Sequence, residues 1–367
     1  MLKFIHLKEG IRIFKRTLKV KKYGIKKYEG NAEEICKQII KDCWNGKYFQ
    51  ASNGHFSEFW TRDFGWCIES LINLGYKKEC EKTLNYALGI FEKKNKITTT
   101  ISPNNVPFDF PYYASDSIPF FIKSLRILNN KNLILKHKEF LNKKVNDYYG
   151  IILDKDLGLV RKDRTFSSIK DYAKRKSSCY DNVMVAMLNN DLKKIKLLEN
   201  PFKDYNFKKI IKENFWKKTH FIDDLSGYDF ITGDANIFPY WSGIFDEKNM
   251  LNSSIKKIQE LGLDNPFPLR YYHQKIKEHD MISVEVFAKN YERDTVWAHL
   301  GPLYISLIKK INKKLFSDYI NNYKNLIENY KNYLEVFNPD GTPYKTYFYH
   351  ADEGMLWCSV FLDMLKK

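Results

Sequence analysis

Residues 59–66 combine an Arg-Asp pair with four aromatic side chains, and an apolar stretch follows them. The segment reads Phe59-Trp60-Thr61-Arg62-Asp63-Phe64-Gly65-Trp66. An acid in the first turn of a helix is favoured by the helix dipole, so the pair is compatible with a purely structural salt bridge. It also suits a sugar site, because the sugar ring can stack on indole while guanidinium and carboxylate bind neighbouring hydroxyl groups. The rest of the chain decides between these two interpretations.

The composition predicts a soluble protein with a substantial core. The chain has 367 residues, of which 44% are hydrophobic and 16% aromatic. No segment approaches the roughly 20 apolar residues of a transmembrane helix, and charges interrupt the N-terminal segment where a signal peptide would be apolar. Six cysteines without CxxC spacing are typical of reduced, buried thiols and argue against structural zinc. We therefore expect a cytoplasmic protein with no membrane partner, no metal and no other cofactor.

The net charge of +17 raises the question of nucleic-acid binding. The lysines, however, occur as pairs spread along many segments, for example at 77–78, 193–194 and 313–314. This spacing is typical of solvated helix faces, and no nucleic-acid-binding motif occurs in its expected context. We expect no nucleic-acid partner, and the sequence gives no indication of the oligomeric state.

Apolar residues recur at helical spacing through most of the chain. Asn31 followed by Glu34 has the pattern of a capping box at the start of the first helix. About twelve helices are predicted, over residues 32–44, 62–74, 77–94, 117–129, 132–147, 179–198, 205–216, 237–245, 250–262, 293–310, 313–333 and 353–366. Long loops alternate with short turns between them, which is the pattern of helical hairpins closed into a ring. We predict an all-α fold, an (α/α)6 toroid in a single domain over residues 31–367, preceded by a basic lead-in, residues 1–30.

The long loops concentrate acidic and aromatic residues beyond what packing requires. They are predicted at 97–116, 151–177, 220–236, 264–292 and 335–352. Asp and Asn also cap helices and form turns, so any single one has a structural explanation. Loops of this shared composition that meet at one mouth of a ring would form a carbohydrate-binding cleft.

On these residues the chain resembles the six-hairpin glycosidases, (α/α)6-barrel enzymes that include glucoamylases, trehalases, neutral invertases and debranching-type amylo-glucosidases. Trp60-Thr61-Arg62-Asp63 matches the aromatic-x-Arg-Asp motif that holds the terminal sugar in that family. Ile169-Lys170-Asp171-Tyr172 is similar to the Leu-Trp-Glu-Glu motif of glucoamylases, whose first acid is the general acid. Glu335-Val336-Phe337-Asn338 resembles the segment that carries the general base. The resemblance covers roughly residues 30–367.

The resemblance implies an inverting glycoside hydrolase that acts on terminal α-linked glucose, or a similar sugar, of an oligo- or polysaccharide. Asp171 would be the general acid and Glu335 the general base, without a metal. An inverting reaction places two such carboxyls about 6.5–9.5 Å apart to leave room for water. The sequence departs from the glucoamylase motif because Asp171 replaces Glu and Lys170 replaces Trp. Asp181-Asn182 resembles the Asp-Asn pair of the α-glucosidase I branch, which makes Asp181 a rival general acid.

Two other classes of function stay open. One is a different enzyme on the same barrel, such as a sugar epimerase or an unsaturated-glycoside hydrolase. The other is a non-catalytic barrel that binds sugar or nucleic acid. Beside the catalytic pair, the predicted substrate-binding residues are Trp60, Arg62, Asp63, Asp116, Asp181, Asn182 and Trp297.

Overall fold

The computed structural model describes residues 4–273 and 282–366. Within these ranges the chain is largely helical, and its strands are two residues long. The helices are α1 Phe4–Tyr23, α2 Ala32–Cys43, α3 Thr61–Asn73, α4 Lys77–Lys93, α5 Ser117–Leu128, α6 Lys131–Lys136, α7 Lys138–Ile152, α8 Cys179–Ile195, α9 Phe207–Phe215, α10 Gly233–Trp241, α11 Lys248–Glu260, α12 Ile282–Phe287, α13 Leu300–Ile308, α14 Lys313–Tyr330 and α15 Cys358–Lys366. The strands are β1 Phe59–Trp60, β2 Thr100–Ile101, β3 Pro107–Phe108, β4 Leu153–Asp154, β5 Leu159–Val160, β6 Val296–Trp297 and β7 Val336–Phe337.

Six helices form a closed inner ring. In ring order these are α3, α5, α8, α10, α13 and α15, and α15 packs back against α3. Helices α2, α4, α7, α9, α11 and α14 lie outside them, each against at least one inner helix. The sequence matches these positions, because the inner helix α13 is apolar and buried almost all round, whereas the outer helix α14 buries a single stripe. The predicted (α/α)6 toroid is confirmed.

Helix ends follow local sequence signals in several places. The capping box at the start of α2 is present, since the Asn31 side chain accepts from the Glu34 amide and the Glu34 carboxylate accepts from the Asn31 amide. Helices α6, α9 and α14 are capped more simply, by the side chains of Asn130, Asn206 and Asn312, each of which accepts one hydrogen bond from a backbone amide of the first turn. All six cysteines are buried and unpaired, as expected.

Several predicted helices begin or divide differently in the structure; the one predicted at 237–245, for example, is α10, Gly233–Trp241. The segment predicted as helix 293–310 is helical only from Leu300, because Val296 and Trp297 pair with β7 as a short strand. The last helix begins at Cys358 rather than 353, and the segment 132–147 divides at His137 into α6 and α7. Part of the predicted loop 264–292 is the helix α12, and positions 274–281 lie outside the described residues.

The predicted lead-in contains helix α1, whose inner side packs on loops at the mouth of the barrel. Arg12 forms ion pairs with Glu9 and Glu58, and Arg16 forms them with Asp352 and Glu353. Two adjacent stretches of loop are therefore tied to one N-terminal helix. None of the described helices is both long enough and apolar enough to cross a lipid bilayer.

Candidate active site

A pocket opens where the inner helices begin. Its space, counted with the opening to solvent, is about 440 Å³. Segments that enter α3, α8, α13 and α15 contribute to it, together with the residues that follow α14. Six predicted site residues line this pocket: Trp60, Arg62, Asp63, Asp171, Trp297 and Glu335.

Arg62 is held on several sides by oxygen atoms of the protein. Its guanidinium donates to both carboxylate oxygens of Asp171, at 3.2 and 3.0 Å, and to Asp116 Oδ2 at 3.3 Å. It also donates to the carbonyl oxygen of Ser168, and it lies 5.8 Å from the centre of the Trp66 ring. A buried guanidinium with this many acceptors stays charged and has a fixed orientation.

Asp63 points away from its neighbour in sequence. Its Oδ1 accepts a 2.8 Å hydrogen bond from the indole nitrogen of Trp357, at the start of the last inner helix. Burial raises the pKa of Asp63 to about 6, although the Arg62 guanidinium acts in the opposite direction. The carboxyl group therefore lines the pocket with a second acceptor oxygen available to a ligand hydroxyl.

Asp171 is positioned through its backbone as well as its side chain. Glu292 accepts hydrogen bonds from the amides of Asp171 and Tyr172, at 2.7 and 2.9 Å. Burial raises the pKa of Asp171, whereas Arg62 favours its charged form. For Glu292, burial and the nearby Asp171 charge raise the pKa to about 8. Two carboxyl groups whose pKa values burial raises therefore lie side by side at this wall of the pocket.

Glu335 lies on the chain directly before β7 and is 1% exposed. Its carboxylate accepts from the Tyr349 hydroxyl at 2.6 Å, from the Asp352 amide at 2.9 Å and from the Tyr291 hydroxyl. Burial and the neighbouring Asp352 charge raise its pKa to about 7. A carboxyl group with this pKa can exchange a proton near neutral pH, which is what acid–base chemistry requires.

Aromatic rings form much of the wall. The rings of His299 and Trp66 are stacked, with centroids 4.6 Å apart and planes 5° apart. Trp297 and Trp357 contact the same His299 ring at 5.2 and 4.9 Å. Burial lowers the pKa of His299 well below its usual value, so its ring is neutral at physiological pH. These apolar faces suit the stacking of a sugar ring.

Three predicted site residues do not line this pocket. Asp116 lies behind Arg62 and accepts from Tyr180 at 3.0 Å. Asp181 accepts from the Ser115 hydroxyl at 2.7 Å, and its amide donates to the helix-cap residue Ser178. Asn182 accepts from the Val160 amide. All three are buried and hydrogen-bonded to the protein, so their contacts are those of supporting residues.

The pocket also contains side chains that the sequence analysis did not select. These are Phe56, Trp66, Ile169, Tyr291, Glu292, His299 and Trp357. Trp66 is one helical turn after Arg62, a spacing that could have indicated a shared face. No comparable local signal identifies Glu292, because its role depends on the backbone of a segment more than a hundred positions away. Among the described residues, no cluster of His, Cys, Asp and Glu is arranged to hold a metal ion.

The chain matches no protein-family model and no curated protein. It does resemble solved structures. A rhamnosidase from Klebsiella oxytoca with rhamnose bound is similar with a TM-score of 0.64 and 8% identity, over 91% of this chain and 62% of that chain. A glycosidase variant in complex with glucose gives 0.68 and 11%, over 100% of this chain and 98% of that chain. A GH63 mannosylglycerate hydrolase from Thermus thermophilus, in complex with Tris and D-glycerate, gives 0.62 and 10%, over 92% and 100%. At these identities the likeness establishes the fold alone.

Proposed function

We propose that this chain is an inverting glycoside hydrolase acting on a terminal sugar, with α-linked glucose as the expected substrate. The observation that carries the proposal is the pocket itself, where Asp171 and Glu335 arrive on separate loops beside Arg62, Asp63 and indole rings. The similar solved structures support it, since one is a glycosidase variant with glucose and another a rhamnosidase with rhamnose. We also propose that it works in the cytoplasm on a carbohydrate, without nucleic acid or a cofactor.

In this proposal Arg62 and Asp63 bind hydroxyl groups of the terminal sugar, and the rings of Trp60 and Trp297 flank it. Asp63 offers carboxylate oxygens, and Arg62 offers the edges of its guanidinium that the protein does not occupy. The stacked rings of Trp66 and His299 belong to the pocket wall, and we expect the pocket to take the end of a sugar chain rather than its middle. The reaction would therefore remove one sugar at a time.

Asp171 protonates the glycosidic oxygen while the bond from that oxygen to the anomeric carbon breaks. Glu335 takes a proton from a water molecule, whose oxygen forms the new bond to the anomeric carbon from the opposite face. One proton thus passes from Asp171 to the leaving group and another from water to Glu335, and exchange with solvent restores both. If a sugar hydroxyl takes over part of the Arg62 guanidinium, the charged form of Asp171 is stabilised less, which favours the protonated acid.

The first test is turnover. Purified protein is screened against α-linked glucose disaccharides and aryl α-glycosides, and NMR of the first-formed product determines its anomeric configuration. Asp171→Asn and Glu335→Gln should each lower kcat by about 10²–10⁴-fold, the usual contribution of a general acid or base. Asp191→Asn is the matched control, because Asp191 is a buried carboxylate paired with Arg126 and is not among the pocket residues.

Three results would contradict this assignment. A retained anomeric configuration would exclude inversion. Loss of turnover in Asp181→Asn with little change in Asp171→Asn would move the general acid to Asp181. Full turnover after both Asp171 and Glu335 are replaced would favour the epimerase or unsaturated-glycoside hydrolase alternative, for which His299 in the pocket wall is the nearest candidate group.

A further inference from the structure

We propose that Arg16, on the N-terminal helix α1, is a positioning residue that holds Asp352 as an anion and through it sets the protonation and placement of Glu335. The proposal rests on the proposed role of Glu335 as general base. Helix α1, which lies within the predicted lead-in 1–30, would thereby take part in the active site.

The Arg16 side chain is 9% exposed and fits among the residues that follow β7. Its Nε lies 3.3 Å from Asp352 Oδ1, and its Nη2 lies 3.2 Å from Glu353 Oε1. Its Nη1 donates to the carbonyl oxygens of His350 and Ala351, at 3.3 and 3.5 Å. The guanidinium thus contacts four consecutive residues of one loop, two through ion pairs and two through their carbonyl oxygens.

Asp352 connects this guanidinium to Glu335. Its amide donates to Glu335 Oε2 at 2.9 Å, while its carboxylate accepts from the amides of His55 and Phe56, at 2.9 and 3.0 Å. The Ser52 hydroxyl donates to the same carboxylate. A buried carboxylate with this number of donors is built to remain charged.

Gly54 shows how closely these parts approach. A Cβ atom at position 54 would lie 1.9 Å from Asp352 Oδ1 and 3.1 Å from Arg16 Nε. Only glycine leaves room for the carboxylate and the guanidinium to meet beside the loop backbone. Three separate segments of the chain therefore meet at this point: helix α1 with Arg16, the loop with Gly54 and the loop with Asp352.

The charges around the two carboxyls determine the direction of the effect. Tyr291 and Tyr349 face Glu335 with neutral hydroxyls, and Asp352 contributes to raising the pKa of Glu335 to about 7. His55 faces Asp352, but burial lowers its pKa to about 3, so it is neutral at physiological pH.

Burial would raise the pKa of Asp352, but His55, Arg16 and its hydrogen bonds hold it below its usual value. His350 lies beside Arg16, and burial lowers its pKa as well. Glu353 adds a second carboxyl on the other side of Arg16. Of these groups, Arg16 is the one that carries a positive charge near pH 7.

Removal of Arg16 therefore leaves Asp352 less compensated, and its negative charge then acts more strongly on Glu335. We expect Arg16→Ala to raise the pKa of Glu335 by on the order of half to one pH unit. The acidic limb of the pH profile of kcat/KM should move upward by the same amount, since the base must be ionised. Arg16→Lys retains the charge and should reverse most of the shift.

The experiment measures the pKa of Glu335 directly, by carbon NMR of protein with ¹³C-labelled glutamate carboxyls, assigned by comparison with Glu335→Gln. This reading needs no turnover, so it remains interpretable even if the glycosidase proposal fails. Arg12→Ala is the matched control, because Arg12 forms the other ion pairs of α1, to Glu9 and Glu58. It should leave the Glu335 pKa unchanged.

A double-mutant cycle tests the route through Asp352. Asp352→Asn alone should lower the Glu335 pKa, because a negative neighbour is lost. Adding Arg16→Ala to Asp352→Asn should then have no further effect. If Arg16→Ala folds to the same thermal midpoint but leaves the Glu335 pKa in place, the proposal is wrong. It is equally wrong if Arg16→Ala shifts the Glu335 pKa as much in the Asp352→Asn background as in the wild type. If Arg16→Ala alone does not fold, a difference in the Glu335 pKa between Asp352→Asn and the double variant would still overturn the proposal.

Discussion

Adjacent residues in the Arg-Asp pair are used in different ways. The Arg62 side chain turns to the acids of two other loops, Asp116 and Asp171, whereas Asp63 turns to an indole of the last inner segment. The pair therefore joins three of the loops that enter the barrel. The Arg62 guanidinium already orients the proposed acid, Asp171. A sugar that binds to this guanidinium would therefore also affect the protonation of that acid.

Loss of Arg62 should cost stability as well as substrate binding. Arg62→Ala leaves the buried Asp116 and the largely buried Asp171 with no guanidinium between them, and Asp116 Oδ1 already lacks a hydrogen-bond partner in the structure. Removal of one member of a buried ion pair typically costs about 3–5 kcal/mol. We expect that loss in urea unfolding and a higher KM for any substrate that the wild type cleaves.

A matched control is available for this substitution. Arg161 and Asp163 form an exposed bidentate pair, with contacts of 2.9 and 2.6 Å, so Arg161→Ala removes similar contacts where water can replace them. It should change stability little. An Arg62→Ala variant as stable as Arg161→Ala, with unaltered KM, would show that the buried network is not needed.

At the scale of helices, close packing of the inner ring depends on small residues at a few positions. Gly65 on α3 faces Phe120 on α5, and a Cβ there would lie 2.6 Å from the Phe120 ring. This contact lets two neighbouring inner helices approach while Arg62 and Trp66 of the same helix face the pocket. The geometry of the site is thus linked to helix packing within one turn of α3.

Two Gly→Ala substitutions separate packing from helix propensity. Gly65→Ala should destabilise the protein by about 1–3 kcal/mol, the usual cost of overpacking a core. Gly89→Ala, in the outer helix α4, meets no atom within 4 Å and should stabilise by about 0.5–1 kcal/mol, as alanine favours helix. Thermal and urea unfolding measure both. Equal effects at the two positions would contradict the packing interpretation.

Helix periodicity and capping signals predicted the inner and outer rings, because these depend on residues close in sequence. The segment 293–299 was misassigned as helix because its pairing with Val336–Phe337 is a tertiary contact that no local pattern reveals. The motif around Arg62 and the acids at 171 and 335 were placed at one pocket from the sequence. Glu292 was missed because its partners are backbone amides of a distant loop, which side-chain chemistry does not specify.

At the scale of the whole molecule, several carboxyl groups whose pKa is raised by burial lie at the mouth of the barrel, so they are partly protonated near neutral pH. Burial raises the pKa of Glu292 and Glu58 to about 8 and that of Glu335 to about 7. Arginines on α1 and α3 compensate only some of these acids. Such a concentration of carboxyl groups with raised pKa values at one end of the barrel is typical of a functional site. It also makes the free energy of unfolding depend on pH.

We predict that the free energy of unfolding falls as pH rises from about 7 to 8. Glu292, Glu58 and Glu335 have higher pKa values folded than the ordinary value of 4.5 expected unfolded, so the folded protein binds more protons throughout this window. Buried His55, with a pKa near 3, has the opposite effect, as do His220, His273, His299 and His350, whose pKa values burial also lowers; this effect fades as pH rises above the ordinary histidine value of 6.5. Lys123, with a pKa near 8, opposes the trend only toward the upper end of the window. Urea unfolding at half-unit pH steps measures the slope.

Glu292→Gln should flatten this slope, because one of the titrating groups is then missing from both the folded and the unfolded state. A wild-type stability that rises across this window, or a slope that Glu292→Gln leaves unchanged, would show that these carboxyls are already ionised in the folded protein.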